Sequence, residues 1–144
     1  MLKIREISEA NATDLGQVNK LIPQLSQSAK PMEQSQFNEI VNSDTTHLYF
    51  LEENNLILGM LCLVTFPIPT GIRAWIEDVV VDENARGRGL GKLLTLHAVA
   101  EAQKYGAQTV DLTSRPSREA ANKLYQSVGF QARETNVYRY RSHS

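Results

Sequence analysis

The sequence predicts a mixed α/β fold within a single domain spanning residues 1–144. Three observations lead there. Strand-like runs separated by turn signals fill much of the first half, strand and helix patterns alternate in the second, and a glycine-rich arch joins a central strand to the longest helix. With 144 residues, 42% hydrophobic and 22% charged, the chain can bury a real core and has an ordinary globular composition. A net charge of −1 argues against a general role on nucleic acid or a membrane surface. One cysteine rules out a disulfide framework within the chain and any Cys-rich zinc site. The first residues alternate like a strand rather than forming a signal peptide, so the expected compartment is the cytoplasm.

Taken in order, Leu2–Ile7 alternates as a first strand. Ala12–Leu25 places Leu15, Val18, Ile22 and Leu25 at helical spacing, and Pro31-Met32 opens a short second helix carrying Phe37, Ile40 and Val41. His47–Glu52 reads as a strand, Asn54-Asn55 as a hairpin turn, and Leu56–Phe66 as a long apolar strand in which Cys62 is a core thiol. Pro67, Pro69 and Gly71 mark a loop before the strand Ala74–Val81. A helix over about Gly89–Tyr105 carries the stripe Leu90, Leu93, Leu94, His97, Ala98, Ala102 and Tyr105. Thr109–Thr113 is a strand. Ser117–Val128 is a helix capped by Ser117 and burying Ala120, Ala121, Leu124, Tyr125 and Val128. Phe130–Arg133 and Val137–Arg141 read as two closing strands. The order is β-α-α-β-β-β-α-β-α-β-β.

The arch is Arg86-Gly-Arg-Gly-Leu-Gly-Lys92, entered from the strand Ile76–Val81. It is not a dinucleotide fingerprint, because the third glycine of that pattern would fall on Lys92 or Leu94. Nor is it a nucleoside-triphosphate loop: the first glycine would fall on Arg86, and Leu93 stands where a hydroxyl is needed. Glycines at 87, 89 and 91 let a ligand approach the backbone, and the helix that follows adds free amides and a positive dipole end. Arg86, Arg88 and Lys92 add charge with no acid between them. The arch reads as a phosphate grip rather than a solvated turn.

Two motifs then make the chain resemble the GNAT acetyltransferase superfamily. Arg86-Gly-Arg-Gly-Leu-Gly91 is similar to its acetyl-CoA loop. Ser117–Phe130, with Asn122 and Tyr125 three apart and a closing Gly129-Phe130, is similar to its second signature helix. The resemblance covers essentially the whole chain. It implies a mostly antiparallel mixed sheet flanked by helices on both faces, with acetyl-CoA as cosubstrate. It implies that the strand with Val79, Val80 and Val81 splays from Val110–Leu112, that pantetheine pairs with the backbone of 79 and 81, and that the arch holds the pyrophosphate. It also implies that Asn122 faces the pantetheine arm and Tyr125 the thioester sulfur; periodicity alone would leave Tyr125 an ordinary core aromatic.

The implied reaction is direct attack of a primary amine on the thioester. An amine of pKa about 10.4 is mostly protonated at neutral pH, so the site must take up a proton. Glu77 is the first choice as base, through water, and Asp78 the second; alternation sends them to opposite faces unless a bulge intervenes. The same acids would also serve as a strand-end pair holding Arg73. The amide of Val79 is the expected oxyanion donor. Tyr125 is expected to donate a hydrogen bond to the leaving thiolate, not a full proton, because its pKa of about 10 exceeds the thiol's.

His47, His97 and His143 are too scattered for a metal set, His97 reads as a packed structural residue, and Trp75 reads as core or cleft wall. Arg115 and Arg118 fit an acidic ligand or plain surface equally well. Ile76-Glu-Asp78 with the arch resembles the amino-sugar-phosphate acetyltransferases, but Thr113–Arg118 departs from their pattern. A small-molecule amine is therefore expected as acceptor, with a peptide or protein amine, or an idle acyl-CoA sensor, as alternatives. The closing strands offer a homodimer edge that no sequence feature decides.

Overall fold

The computed structural model describes residues 1–142. Five strands form one sheet in the order β1-β2-β3-β4-β5: β1 (Leu2–Glu6), β2 (Thr46–Glu53), β3 (Leu56–Ile68), β4 (Gly71–Val81) and β5 (Thr109–Asp111). The first four are antiparallel, and β5 pairs with β4 in parallel. The helices are α1 (Ala12–Leu25), α2 (Gln34–Asn42), α3 (Leu90–Lys104) and α4 (Glu119–Ser127), with a short 3-10 turn at Glu83–Ala85. No helix among the described residues is long and apolar enough to cross a membrane.

Alternation along the strands feeds two cores. Tyr49, Leu51, Leu61, Leu63 and Ile76 point to the face that packs Leu90, Leu94, Ala98 and Ala102 of α3. Leu48, Phe50, Met60 and Val80 point the other way, onto Val18 and Leu21 of α1 and Phe37 of α2. The middle strands are thus buried on both sides, which explains their nearly unbroken apolar runs. Asn54 and Asn55 both take positive φ, 52° and 67°, as a two-residue hairpin requires. Asn11 caps α1 by accepting from the Asp14 amide at 2.7 Å, and Asp14 accepts in turn from Arg5 of β1 at 2.9 Å.

Several expectations need correction. The loop at Pro67–Gly71 is a tight hairpin: β3 runs on to Ile68, and Pro67 stands opposite Ile72, leaving only Pro69 and Thr70 between the strands. In α1 the buried stripe holds Leu21, while Leu25 is exposed. On α3, Leu93 and Tyr105 are exposed. α4 begins after Arg118, not Ser117, because the chain turns at Arg115–Arg118 with the Arg118 amide on the Arg115 carbonyl. No residue of α4 is buried; its apolar face lies at the rim of the larger core. Phe130–Arg133 and Val137–Arg141 form no strands, so the observed order ends β-α. A strand needs an edge to pair with, and these segments lie against none, with every residue from Gln131 to Ser142 exposed.

Candidate functional site

The centre of β4 is where the sheet breaks its rhythm. Counting back from the Pro69–Thr70 turn, β3 and β4 pair in a single register up to Cys62 opposite Glu77. Beyond it Met60 faces Val80, so β4 carries one extra residue. That residue is Asp78, held at φ 50° in the left-handed region, which an acidic side chain tolerates better than a branched one. The extra residue resets the alternation. Ile76 and Val79, three apart, both reach the α3 side, and Val80 is buried against α1 and α2. Glu77 lies on the α1/α2 side. Asp78 does not simply oppose it: both carboxylates act on Cys62, whose thiol is pushed up to about 12 by burial, then by Asp78 and Glu77.

Glu77 and Asp78 are exposed, and the Glu77 carboxylate accepts from the Trp75 indole Nε1 at 2.6 Å. Trp75 is half-buried and orients the acid two residues on, a link that same-face spacing in a strand permits. Trp75 and Cys62 are the neighbours of the acids that sequence reasoning passed over. Counting register from the hairpin would have found Cys62, since it faces Glu77 directly.

The other edge of β4 opens a gap. Pairing with β5 covers only Arg73, Ala74 and Trp75, opposite Thr109, Val110 and Asp111. From Ile76 to Val81 this edge has no strand partner among the described residues. The gap leads to the arch. Gly87 and Gly89 take φ 83° and 74°, and a Cβ at either would meet nothing within 4 Å, so the backbone faces open space. Gly89 is the residue from which α3 starts, with Leu90 buried beneath. Gly91 serves a different end: a Cβ there would lie 3.4 Å from Leu124 of α4 and 4.0 Å from Val81, so its bareness seats α4 against the sheet.

The three cations are not equivalent. Arg88 Nη2 donates to both carboxylate oxygens of Glu53, at 3.1 and 3.2 Å, and this bond holds the Glu53 carboxyl below its ordinary range. Arg88 is therefore tethered to the β2–β3 hairpin. Arg86 Nε donates to the Val81 carbonyl at 3.3 Å, and Lys92 is exposed on the first turn of α3. The Glu83 amide donates to the Gln24 side chain, fixing the end of α1 beside the arch.

On α4, Asn122 and Tyr125 are half-buried. The Asn122 amide donates to the Arg115 carbonyl at 2.9 Å, pinning the β5–α4 loop and leaving its own oxygen free. Tyr125 packs edge-on against Phe130, with ring centroids 5.9 Å apart. Burial pushes its hydroxyl above the ordinary tyrosine range, against a smaller opposing pull from Arg118. Arg115 and Arg118 are exposed. The histidines sit elsewhere: His47 stacks on Tyr105, His97 meets Tyr49 edge-on, and His143 lies outside the described residues.

A family model described as "Acetyltransferase (GNAT) family" matches residues 13–130. Among curated proteins, a mycothiol acetyltransferase of Renibacterium salmoninarum is 36% identical over 85 residues, 58% of this chain and 25% of that one. A [ribosomal protein bS18]-alanine N-acetyltransferase of Escherichia coli is 39% identical over 57 residues, 40% of this chain and 38% of that one. The matches thus span well under two thirds of either relative. Among solved structures, an aminoglycoside acetyltransferase from an uncultured soil metagenomic sample, in complex with sisomicin, superposes with TM-score 0.87. It shares 20% identity and covers 99% of this chain and 97% of that one, a likeness of fold.

Proposed function

The chain belongs to the acetyltransferase (GNAT) family, and on that premise we propose that it transfers an acetyl group from acetyl-CoA to a primary amine. One observation carries this reading. The unpartnered edge of β4 from Ile76 to Val81 runs between an open glycine arch at one end and the exposed Glu77 and Asp78 at the other. An extended pantetheine arm suits such an edge as an added strand would. In this reading the backbone of Val79 and Val81 lines the arm, with the buried Val80 side chain fixing the strand. Gly87, Gly89 and the amides at the start of α3 receive the pyrophosphate, with Leu90 as their floor and Gly91 seating α4. Arg86 and Lys92 add charge, Arg88 braces the arch through Glu53, and the free oxygen of Asn122 faces the arm.

The chemistry follows from the acids. Glu77, held by Trp75, takes the proton from the incoming ammonium through water, with Asp78 as its neighbour and second choice. The attacking nitrogen forms a bond to the acyl carbon, the C–S bond breaks with its electron pair going to sulfur, and the nitrogen's second proton passes to the departing thiolate to release CoA. The bulge displaces the local backbone, and the Val79 amide is the proposed oxyanion donor. Tyr125, its hydroxyl raised by burial, keeps its proton and donates a hydrogen bond to the departing sulfur. Cys62 lies near the acids, yet a thiol pushed to about 12 is protonated at neutral pH and a poor nucleophile. This supports direct transfer over an acyl-cysteine intermediate.

A small-molecule amine is the proposed acceptor, with one such domain per chain. A peptide α-amine is the second reading, favoured by the likeness to the alanine N-acetyltransferase. The deciding experiment follows thiol release from acetyl-CoA with aminoglycosides, polyamines and Ala-starting peptides. Turnover with one class assigns the acceptor. Acetyl-CoA binding without release in any arm would identify an idle sensor, and no binding at all would overturn the reading.

A further inference from the structure

Among the described residues, the side-chain polar atoms shielded from solvent without a hydrogen-bond partner are His47 Nε2, Tyr49 OH and Ser114 Oγ. The first two belong to the packing between β2 and α3, where His47 stacks on Tyr105 and Tyr49 meets His97 edge-on. Ser114 stands apart from them. It follows the end of β5, in the loop that leads to α4, beside the gap along β4. A buried hydroxyl without a partner is destabilising, and each instance in a folded protein calls for a reason.

Looseness is not the reason. The next residue is fixed: the Arg115 carbonyl accepts from the Asn122 side chain at 2.9 Å and from the Arg118 amide at 3.0 Å. Ser114 is thus held at the root of a pinned turn. Two observations say what it faces. Along the chain, position 114 continues the alternation of Val110 and Leu112, which pack against the larger core together with Val79 and Val81. Across the gap, β4 and β5 pair in parallel up to Trp75 opposite Asp111, and counting on along both strands brings Ser114 level with Asp78. The count sets the hydroxyl on the side of the sheet that Val79 and Val81 border, at the level of the bulge and its two acids.

We propose that Ser114 is a ligand of the cosubstrate: its hydroxyl hydrogen-bonds the pantetheine amide nearest the thioester, across the gap from the Val79 backbone. This rests on the proposed acetyl-CoA reaction and adds a residue to it. A hydroxyl both donates and accepts, so it suits either end of an amide. The free protein carries the cost of the orphaned hydroxyl, and the bound arm removes it. Held from both sides, the arm cannot roll, so the thioester presents one face to the acids.

Calorimetric titration tests this with two ligands, acetyl-CoA and 3′-phospho-ADP, the part of CoA that lacks the arm. Ser114→Ala is expected to weaken acetyl-CoA binding about three- to tenfold, the range of one neutral hydrogen bond, and to leave 3′-phospho-ADP binding unchanged. Its melting temperature should equal or exceed that of the unaltered protein, since the substitution removes an orphaned polar group. Thr113→Ala, at the exposed neighbour, should change the binding of neither ligand. Equal acetyl-CoA affinities with and without the hydroxyl would overturn the proposal and leave the acetyl-CoA reading standing. A parallel loss for 3′-phospho-ADP, or a lowered melting temperature, would overturn it too, because the hydroxyl would then serve the phosphates or the fold. Failure of the unaltered protein to bind acetyl-CoA would remove the reading itself and the proposal with it.

Discussion

The sheet from β1 to β4, with α1–α3, and the flank formed by β5, α4 and the tail are held together by different means. In the first, strands of 5 to 13 residues pair over their length and every residue of Leu48–Glu52 is buried. In the second, a strand of 3 residues is followed by a helix with no buried side chain. The proposed site lies on the seam. The acids and the donor edge belong to the packed strand β4, where Trp75 fixes Glu77 and the bulge fixes Asp78. Asn122 and Tyr125 belong to the thin flank. In the proposed reaction, precision thus falls where the proton would move, and compliance where an elongated cosubstrate would enter and leave.

Deleting side chains on either side of the seam measures the contrast most directly. Leu94→Ala, in the centre of the larger core, should cost about 2–5 kcal/mol in denaturant unfolding. Leu124→Ala on α4 should cost under ~1 kcal/mol, and equal costs would erase the distinction. Next in size is Glu77→Gln, expected to lower turnover about a hundredfold or more while acetyl-CoA affinity and thermal stability hold. Full activity in this variant would move the base elsewhere. Tyr125→Phe should lower kcat by about ten- to a hundredfold, the range of one hydrogen bond to a charged atom, with acetyl-CoA binding nearly unchanged. Unaltered turnover would remove Tyr125 from the mechanism.

The chemistry of Cys62 gives a pH test of the packed side. Burial pushes its thiol well above the ordinary cysteine range, to about 12, so the folded state resists losing this proton. That contribution is constant below about pH 9 and erodes stability as pH rises toward 12, where only the unfolded chain ionises. Cys62→Ala should flatten this alkaline decline, and iodoacetamide at pH 8 should label the native protein far more slowly than the denatured one. Smallest of all, Arg88→Ala should leave the denaturation midpoint nearly unchanged, because its bond to Glu53 is exposed. It should weaken acetyl-CoA binding less than Arg86→Ala does.

Local signals explain what could be read early. The span of α1, the Asn54-Asn55 turn and the arch were legible because periodicity, paired asparagines and spaced glycines impose local geometry on any fold that contains them. Tyr125 and Asn122 came from a motif, not from their periodicity. The bulge at Asp78 was not legible: its trace is a shift in pairing between two strands, and either strand alone looks regular. Val137–Arg141 shows the converse, since alternation marks a segment able to be a strand but does not provide the edge it needs.

By itself, then, the sequence determined the element types from β1 to α4, the glycine arch before α3 and the family, because these depend on neighbours along the chain. Only the tertiary structure decided that Glu77 and Asp78 share Cys62 as a neighbour, that Arg88 is bound to Glu53 and Gly91 to the seating of α4, and that α4 holds no fully buried residue. Those outcomes depend on distant residues meeting, and the free energy of such meetings is set by register and packing rather than by local propensity.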